Sequence, residues 1–335
     1  MNKELNIKSM NLNNLINGFN RHNILVIGDI MLDQFIWGKV SRLSQEAPVP
    51  IVDVKKVSTM LGGAANVVNN ITSLGGKAVL CGIVNFDAAG RNIISDLRNI
   101  DPEIVKGIVI DHSRPTTVKT RIIAKDQQVV RYDIEKRSPL ETNITSDIID
   151  FIGKQIESTN LVIVSDYGKG VISSKTMKYI QKLCFSADVP LIIDPNIDNF
   201  SLYSGALAVV PNHYEAMIMA NNGRNMLTIG EALRNKLNCK NLLITRGKRG
   251  VSLFQENKEV VHIKSIAKKI YDVTGAGDTL VSVLGLCLGS SLDIESSSVL
   301  ANIAAGIVVG EVGTSIIDLN KFKKIVEMRI LKRRF

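Results

Sequence analysis

An α/β fold on a mainly parallel sheet is predicted by two patterns in this 335-residue chain, and a small inserted sheet by a third. Short β-branched runs recur at 24–28, 78–82, 161–165, 191–194, 208–211 and 241–245, and each reads as a buried strand. The first of them delivers Asp29 to a strand edge. Helical patterns at 64–74, 88–100, 145–157, 174–183 and 231–237 fall between most of these runs. Strands alternating with helices imply a parallel sheet covered on both faces, with ligands beyond the carboxyl ends of its strands. Residues 34–56 and 107–134 break the rhythm. Stretches such as Thr116-Thr-Val-Lys-Thr-Arg-Ile-Ile-Ala124 alternate with period two and predict antiparallel strands of an inserted β lid, with a hairpin turn at Asp126-Gln127. A sheet this small has no core of its own, so a homodimer that covers its apolar face is expected. Residues 1–23 read as an N-terminal extension and 24–335 as one domain, without internal repeats or low-complexity linkers.

Composition narrows the function classes. With 45% hydrophobic and 22% charged residues the chain is of ordinary globular type. A net charge of +9 admits nucleic acid, an acidic surface or small anions as partners. Part of that excess is the terminal Arg329-Ile-Leu-Lys-Arg-Arg-Phe335, which reads as a solvated helix end. No basic stripe is interleaved with aromatics for base stacking, so nucleic acid is not the expected partner. The longest apolar stretches, such as 301–310, fall short of the roughly 20 residues of a membrane span. The amino terminus lacks the features of a secretory signal, so a cytoplasmic protein without a membrane partner is expected. Cys81, Cys184, Cys239 and Cys287 are far apart and read as reduced core cysteines, and the four histidines are too scattered for a zinc site.

The chemistry is concentrated in Ile270-Tyr-Asp-Val-Thr-Gly-Ala-Gly-Asp278-Thr, followed by the apolar helical run 280–288. Gly275 and Gly277 allow a tight turn into a helix start, where free N–H groups and the helix dipole favour an anion such as phosphate. Asp278 stands at that helix start, placed to act as general base on a hydroxyl aimed at the terminal phosphate of a nucleotide. Gly-Ala-Gly-Asp alone also fits a plain strand-to-helix turn capped by the aspartate. No Walker-type loop competes, since Gly168-Lys169 is followed by Gly170, and a dinucleotide fingerprint is absent.

The decapeptide closely resembles the signature of the ribokinase-like (PfkB) carbohydrate kinases, and four more segments resemble that family's motifs in the family's order. Leu61-Gly62-Gly63-Ala-Ala-Asn66-Val resembles the sugar-binding glycine pair, in which Asn66 hydrogen-bonds a hydroxyl. Pro211-Asn212-His-Tyr-Glu215 matches the Asn-x-x-Glu pattern that organises magnesium and the nucleotide phosphates, Glu215 acting through water. Thr245-Arg-Gly247 with Gly250 resembles the nucleotide-binding loop, and Asn302 the asparagine on the adenosine side. The resemblance implies a three-layer α/β/α sandwich with an inserted antiparallel lid, ATP as phosphate donor, Mg2+, and a catalytic turn of Gly275, Ala276, Gly277 and Asp278. Asp272 and Thr274 match positions that hold a monovalent cation, K+, in relatives.

Further segments resemble one branch of the family, the D-glycero-β-D-manno-heptose 7-phosphate kinases of ADP-heptose synthesis. They are Gly28-Asp-Ile-Met-Leu-Asp33, Arg42-Leu-Ser-Gln-Glu-Ala-Pro-Val-Pro-Ile51, Arg114-Pro-Thr-Thr-Val-Lys-Thr-Arg121, Val130-Arg131-Tyr-Asp133, Ser165-Asp-Tyr-Gly-Lys-Gly170 and Gly306-Ile-Val-Val-Gly310 with Gly313-Thr314. A heptose phosphate offers hydroxyls to carboxylates and a dianion to cations. The branch resemblance thus implies that Asp29 and Asp33 hold hydroxyls, and that Lys119, Arg121, Arg131 and Lys169 meet the 7-phosphate. Asp33 also fits a surface turn, and Arg121 and Arg131 also fit cross-strand partners within the lid. Two positions depart from the branch: Gln45 stands where proline is usual, and Asn196 where lysine would offer a phosphate contact. The implied reaction is phosphorylation of the C1 hydroxyl to a 1,7-bisphosphate on the route to ADP-heptose and lipopolysaccharide core. No His-x-x-His-type nucleotidyltransferase motif occurs, so a kinase without a fused adenylyltransferase is expected. The alternatives are another PfkB-type kinase, acting on a hexose, a ketose phosphate or a nucleoside, and a non-catalytic sugar-phosphate sensor.

Overall fold

The first strand sets the layering. In β1 (Asn23–Gly28), Ile24 and Val26 point into one hydrophobic cluster and Leu25 and Ile27 into another, so the strand is buried on both faces. The computed structural model describes residues 12–125, 127–220, 225–267, 274–310 and 316–332. In chain order the other strands are β2 (Ile30–Leu43), β3 (Pro50–Gly63), β4 (Lys77–Val84), β5 (Gly107–Ile110), β6 (Thr117–Ala124), β7 (Gln127–Ile134), β8 (Leu161–Ser165), β9 (Leu191–Asp194), β10 (Ala208–Val209), β11 (Asn241–Thr245), β12 (Val251–Gln255) and β13 (Val261–Ile263). The helices are α1 (Leu12–Gly18), α2 (Ala64–Ser73), α3 (Ala88–Ile100), α4 (Thr142–Gln155), α5 (Ser174–Ser186), α6 (His213–Met219), α7 (Met226–Leu237), α8 (Ala276–Gly289), α9 (Ile294–Val308) and α10 (Leu319–Lys332).

Among the described residues a nine-stranded sheet runs β13-β12-β11-β10-β9-β8-β1-β4-β5, parallel from β11 to β5. β12 and β13 are added antiparallel at one edge. Helices α2, α3, α8, α9 and α10 contribute to the cluster on one face, and α4, α5, α6 and α7 to the cluster on the other, which makes three layers. Helix α8 is apolar nearly all round and lies buried between α2 and α9, where each fully covered Val or Leu stabilises by about 1.5–3 kcal/mol. The chain leaves β1 toward β4 and β5 on one side and later builds β8 to β13 on the other. The order therefore reverses between β1 and β8, the place where such sheets bind ligands.

A second sheet of four strands, β3-β2-β6-β7, stands beside the first. It differs from the expectation in three respects. Residues 107–110 belong to the main sheet, where β5 pairs in parallel with β4, so the second inserted segment begins with β6. The sheet is mixed rather than antiparallel, because β2 and β6 run parallel between two antiparallel pairs. Its hairpin pairs Ala124 with Gln127, so Gln127 belongs to a strand and not to the expected turn; Asp126 lies outside the described residues. The face of this sheet opposite Asp33 carries Ile36, Val57, Ile122, Val130, Tyr132 and Ile134, of which Val57, Val130, Tyr132 and Ile134 are exposed. The four cysteines are buried and unpaired. No helix among the described residues is long and apolar enough to cross a membrane.

Candidate active site

The carboxyl ends of the parallel strands deliver polar residues to one edge: Asp29 after β1, Asp166 and Tyr167 after β8, Asp194 at the end of β9, Asn212 beyond β10 and Thr245 at the end of β11. The start of α8 lies over this edge. Gly275 is its N-cap at φ 78°, a left-handed conformation that a residue with a Cβ rarely adopts, and Asp278 sits in the first turn. Asp278 is buried. Its Oδ2 accepts a hydrogen bond from Asn66 Nδ2 at 2.7 Å and its Oδ1 one from the Tyr167 hydroxyl at 2.7 Å. Burial pushes its carboxyl above the usual range, and the two donors oppose that rise. Asn66 is held in turn by Asn70, whose Nδ2 donates to Asn66 Oδ1 at 3.1 Å.

A cavity of about 620 Å³ opens from Asp278, within the range of small-molecule sites. It is lined by Gly275, Ala276 and Gly277, by Asn212 and Glu215, by Thr245, Gly247 and Gly250, and by Asn302. The expected catalytic turn, magnesium residue and nucleotide contacts, separated by up to 90 residues in the chain, thus meet around one space. Asn212 and Glu215 form a capping box at the start of α6, the Asn212 side chain accepting from Glu215 N at 2.9 Å and Glu215 Oε2 from Asn212 N at 2.7 Å. Asn302 Nδ2 donates to the Lys264 carbonyl at 2.9 Å. Thr274 precedes the N-cap, whereas Asp272 and the Gly313-Thr314 pair lie outside the described residues.

Gly62 and Gly63 end β3 against the same site. Gly63 has φ +56°, and a Cβ there would stand 2.5 Å from the Asp29 carbonyl oxygen, so the glycine permits β3 to turn into α2 beside β1. Asp33, Lys119 and Asp133 form one cross-strand row of the small sheet, and Phe35, Arg121 and Arg131 the next. Arg121 pairs with Asp33 and stacks 5.3 Å over Phe35, while Arg131 pairs with Asp133 at 3.1 Å. Lys119 lies 4.8 Å over the ring of Tyr167. Burial lowers its pKa, and nearby Asp33 and Asp133 work against Lys169 and Arg131 in setting the remainder. Lys169, also buried, pairs with Glu135 at 2.6 Å. Four basic groups therefore face the sheet edge, three of them tied to acidic partners of this chain.

Asp29 has a scaffolding task that its place in the sequence does not show. Its carboxylate is buried and accepts backbone N–H groups of Tyr167 at 2.8 Å, Lys169 at 3.0 Å and Val171 at 3.3 Å, so it shapes the loop after β8. Burial and the neighbouring Asp166 raise its pKa to about 6. Arg114 completes that scaffold. Buried beside Asp111, it donates to the carbonyls of Ser138, Pro139 and Lys169 and so ties the return from the small sheet to the same loop.

Sequence reasoning missed Tyr167 and Asp194. Tyr167 lies within Ser165-Asp-Tyr-Gly-Lys-Gly170, from which only the lysine was singled out, and its link to Asp278 spans 111 positions. Asp194 lines the cavity, and burial, then the charges of Asp278, Glu215 and Asp166, push its carboxyl well up. Among the described residues no preformed cluster of three metal-ligating side chains exists. The donor set nonetheless fits magnesium, which keeps much of its water and needs only one or two carboxylates. Glu215, likewise raised by burial, and Asp194 would hold it, since both are carboxylates whose charge is poorly compensated here.

A buried carboxylate at a helix start, facing a cavity of nucleotide size with a basic sheet on its other side, is the layout of a phosphotransferase. Comparison with known proteins agrees. A family profile described as "pfkB family carbohydrate kinase" matches residues 21–321, and the chain belongs to that family as an ATP-dependent carbohydrate kinase. It is 39% identical over 309 residues to the "Bifunctional protein HldE" of Desulfatibacillum aliphaticivorans, covering 91% of this chain and 63% of that protein. The HldE of Helicobacter pylori is 40% identical over 309 residues, covering 90% of this chain and 66% of its own length. The chain thus spans less than two thirds of these relatives. Among solved structures, ribokinase from Arabidopsis thaliana complexed with ribose and ATP superposes with a TM-score of 0.70 at 18% identity, over 91% of this chain and 98% of that one. Phosphofructokinase-2 from Escherichia coli in complex with substrates and products gives 0.77 at 15% identity, over 92% and 99%. Both share the ribokinase-like fold.

Proposed function

We propose that this chain transfers the terminal phosphate of ATP to the C1 hydroxyl of D-glycero-D-manno-heptose 7-phosphate, giving the 1,7-bisphosphate for ADP-heptose and lipopolysaccharide core synthesis. The observation that carries the reading is the position of Asp278 between two sites. On one side is the cavity lined by the nucleotide motifs; on the other, one phenol ring away, is the ammonium of Lys119. A substrate that must present a hydroxyl to the base and an anion to cations fits that order. The resemblance to HldE supports a heptose phosphate over a hexose or a nucleoside.

In this reading Asp278 accepts the proton of the C1 hydroxyl as that oxygen attacks phosphorus. Asn66 and the Gly62–Gly63 backbone orient the sugar, and Lys119, Lys169, Arg121 and Arg131 take the 7-phosphate. Lys169 then exchanges Glu135 for the phosphate, and Arg121 and Arg131 share theirs. The free N–H groups at the start of α8 favour the charge that develops on the transferred phosphoryl. Glu215 and Asp194 would hold Mg2+, which would neutralise charge on the nucleotide phosphates. K+ at Thr274 and Asp272 belongs to the same reading and is checked by comparing rates in potassium and tetramethylammonium chloride. The apolar outer face of the small sheet favours a homodimer through it, which light scattering at micromolar concentration tests: monomer alone would refute it. The family reading also makes the protein cytoplasmic, where ATP is supplied.

The decisive experiment is phosphorus NMR of the products formed from ATP and heptose 7-phosphate. An anomeric phosphate resonance appearing with ADP is expected. Faster ADP formation with fructose, ribose or fructose 6-phosphate would transfer the assignment to another acceptor.

A further inference from the structure

We propose that Tyr167 is a positioning residue for Asp278: its phenol, locked by Asp29, holds one carboxylate oxygen in register with the cavity and favours the anionic form that accepts a proton. The proposal rests on the reading of Asp278 as the base. Its geometric foundation is a chain of contacts. The Tyr167 hydroxyl donates to Asp278 Oδ1 at 2.7 Å, while Asn66 takes Oδ2 at 2.7 Å. The Tyr167 backbone N–H donates to Asp29 Oδ2 at 2.8 Å, so the buried aspartate fixes the loop from which the phenol reaches the base. The ring fits against Gly63, where an added Cβ would come within 3.4 Å of it, and under the Lys119 ammonium at 4.8 Å.

The phenol and the amide are both neutral donors, which hold a carboxylate without adding charge at the point of attack. A carboxylate oxygen has two lone pairs, so Oδ1 can bind Tyr167 and still receive a sugar hydroxyl. Every charged element around Asp278 bears on its ionisation. Asp33 from β2 raises its pKa and Lys119 from β6 lowers it, and Asp194 at the end of β9 is a further carboxylate whose own pKa Asp278 raises. Burial is the largest influence and favours the protonated form, and the hydrogen bonds from Asn66 and Tyr167 are the chief opposition. The Tyr167 phenol is itself pushed well above its ordinary value by burial and then by Asp278, so it stays a donor across the working pH range.

Tyr167→Phe tests this by removing one oxygen and no packing. The first readout needs no substrate: the carboxyl ¹³C resonance of Asp278, identified by its absence in Asp278→Asn, is followed with pH in the ligand-free protein. The variant should raise the Asp278 pKa by about one unit, a tenfold shift in the protonation equilibrium. An unchanged or lowered pKa overturns the proposal. The second readout uses ATP and whichever sugar phosphate the wild-type protein phosphorylates. There kcat should fall about tenfold with both KM values within about twofold. A loss confined to KM would show that Tyr167 binds substrate instead. Failure of the kinase reading would appear separately, as wild-type protein that forms no ADP with any acceptor, and the carboxyl titration would still decide the role of Tyr167.

Discussion

Asp278→Asn removes the proposed base with almost no change of shape, and its effects can be worked from the two hydrogen bonds on the carboxylate. With its amide oxygen toward Asn66 and its NH₂ toward the Tyr167 phenol oxygen, an asparagine at 278 keeps both partners. Two hydrogen bonds to a charged acceptor, each of about 1.5–3 kcal/mol, become neutral ones of about 0.5–1.5 kcal/mol. Relief from burying a carboxylate offsets that loss, since burial is the largest influence on this group. The melting temperature should therefore stay within about 3 °C of wild type. Turnover should behave differently. Losing a general base lowers it by about 10²- to 10⁴-fold, or roughly 3–5 kcal/mol in the barrier. A coupled assay of ADP release with heptose 7-phosphate at saturating ATP measures the rate, and calorimetry shows whether ATP still binds. Turnover above roughly a tenth of wild type, with ATP bound normally, would remove Asp278 from proton transfer, because a positioned base contributes at least about two decades.

The same burial predicts the pH profile of the wild-type enzyme. The base must be ionised, so kcat/KM holds above the pKa of Asp278 and falls as pH drops through it; because that pKa is raised, the acid limb should lie above the value of about 4 typical of free aspartate. A flat profile down to about pH 4 would contradict this. Lys169→Met should raise KM for the sugar phosphate about 10- to 100-fold, as loss of one charge-assisted hydrogen bond implies, and leave KM for ATP unchanged. An equal loss with an unphosphorylated heptose would place Lys169 elsewhere. Gly63→Ala forces a side chain into a left-handed conformation and against the Asp29 carbonyl, so urea denaturation should show a loss of about 2–4 kcal/mol; a smaller change would mean that the β3–α2 turn relaxes freely.

The main sheet was legible because its strands are buried on both faces, so runs such as Leu161–Ser165 are apolar without interruption and their helical connections show a second period. What sequence leaves open is partnership. Gly107–Ile110 alternates no differently at the edge of the large sheet than it would in the lid, and only its pairing with β4 decides. Likewise β2 and β6 have the same period two whether they run parallel or antiparallel, since the alternation of side chains does not depend on the direction of the neighbour. β12 and β13 escaped for other reasons: Ser252 interrupts the apolar run of the first, and the second has only three residues.

The candidate site divides along the same line. Residues within motifs were legible because a helix start imposes local spacing. Gly275 to Asp278 and Asn212 to Glu215 are short patterns with a mechanical meaning, the second being a capping box whatever else it holds. Asp29 shows the limit of local spacing. An aspartate after a buried strand has the same local signature whether it faces a sugar or three backbone N–H groups, and the loop that supplies those groups comes 138 to 142 positions later. Tyr167 is the complement of that case, since its hydroxyl meets a carboxylate 111 positions away. Both residues belong to one assembly, in which Asp29 holds the loop, the loop holds the phenol and the phenol holds the base. Its parts become functional only in relation to each other, so the pair Asp29 and Tyr167 should be tested together: if Asp29→Asn loosens the loop, it should raise the Asp278 pKa in wild type but add little in the Tyr167→Phe background, where the contact it supports is already gone.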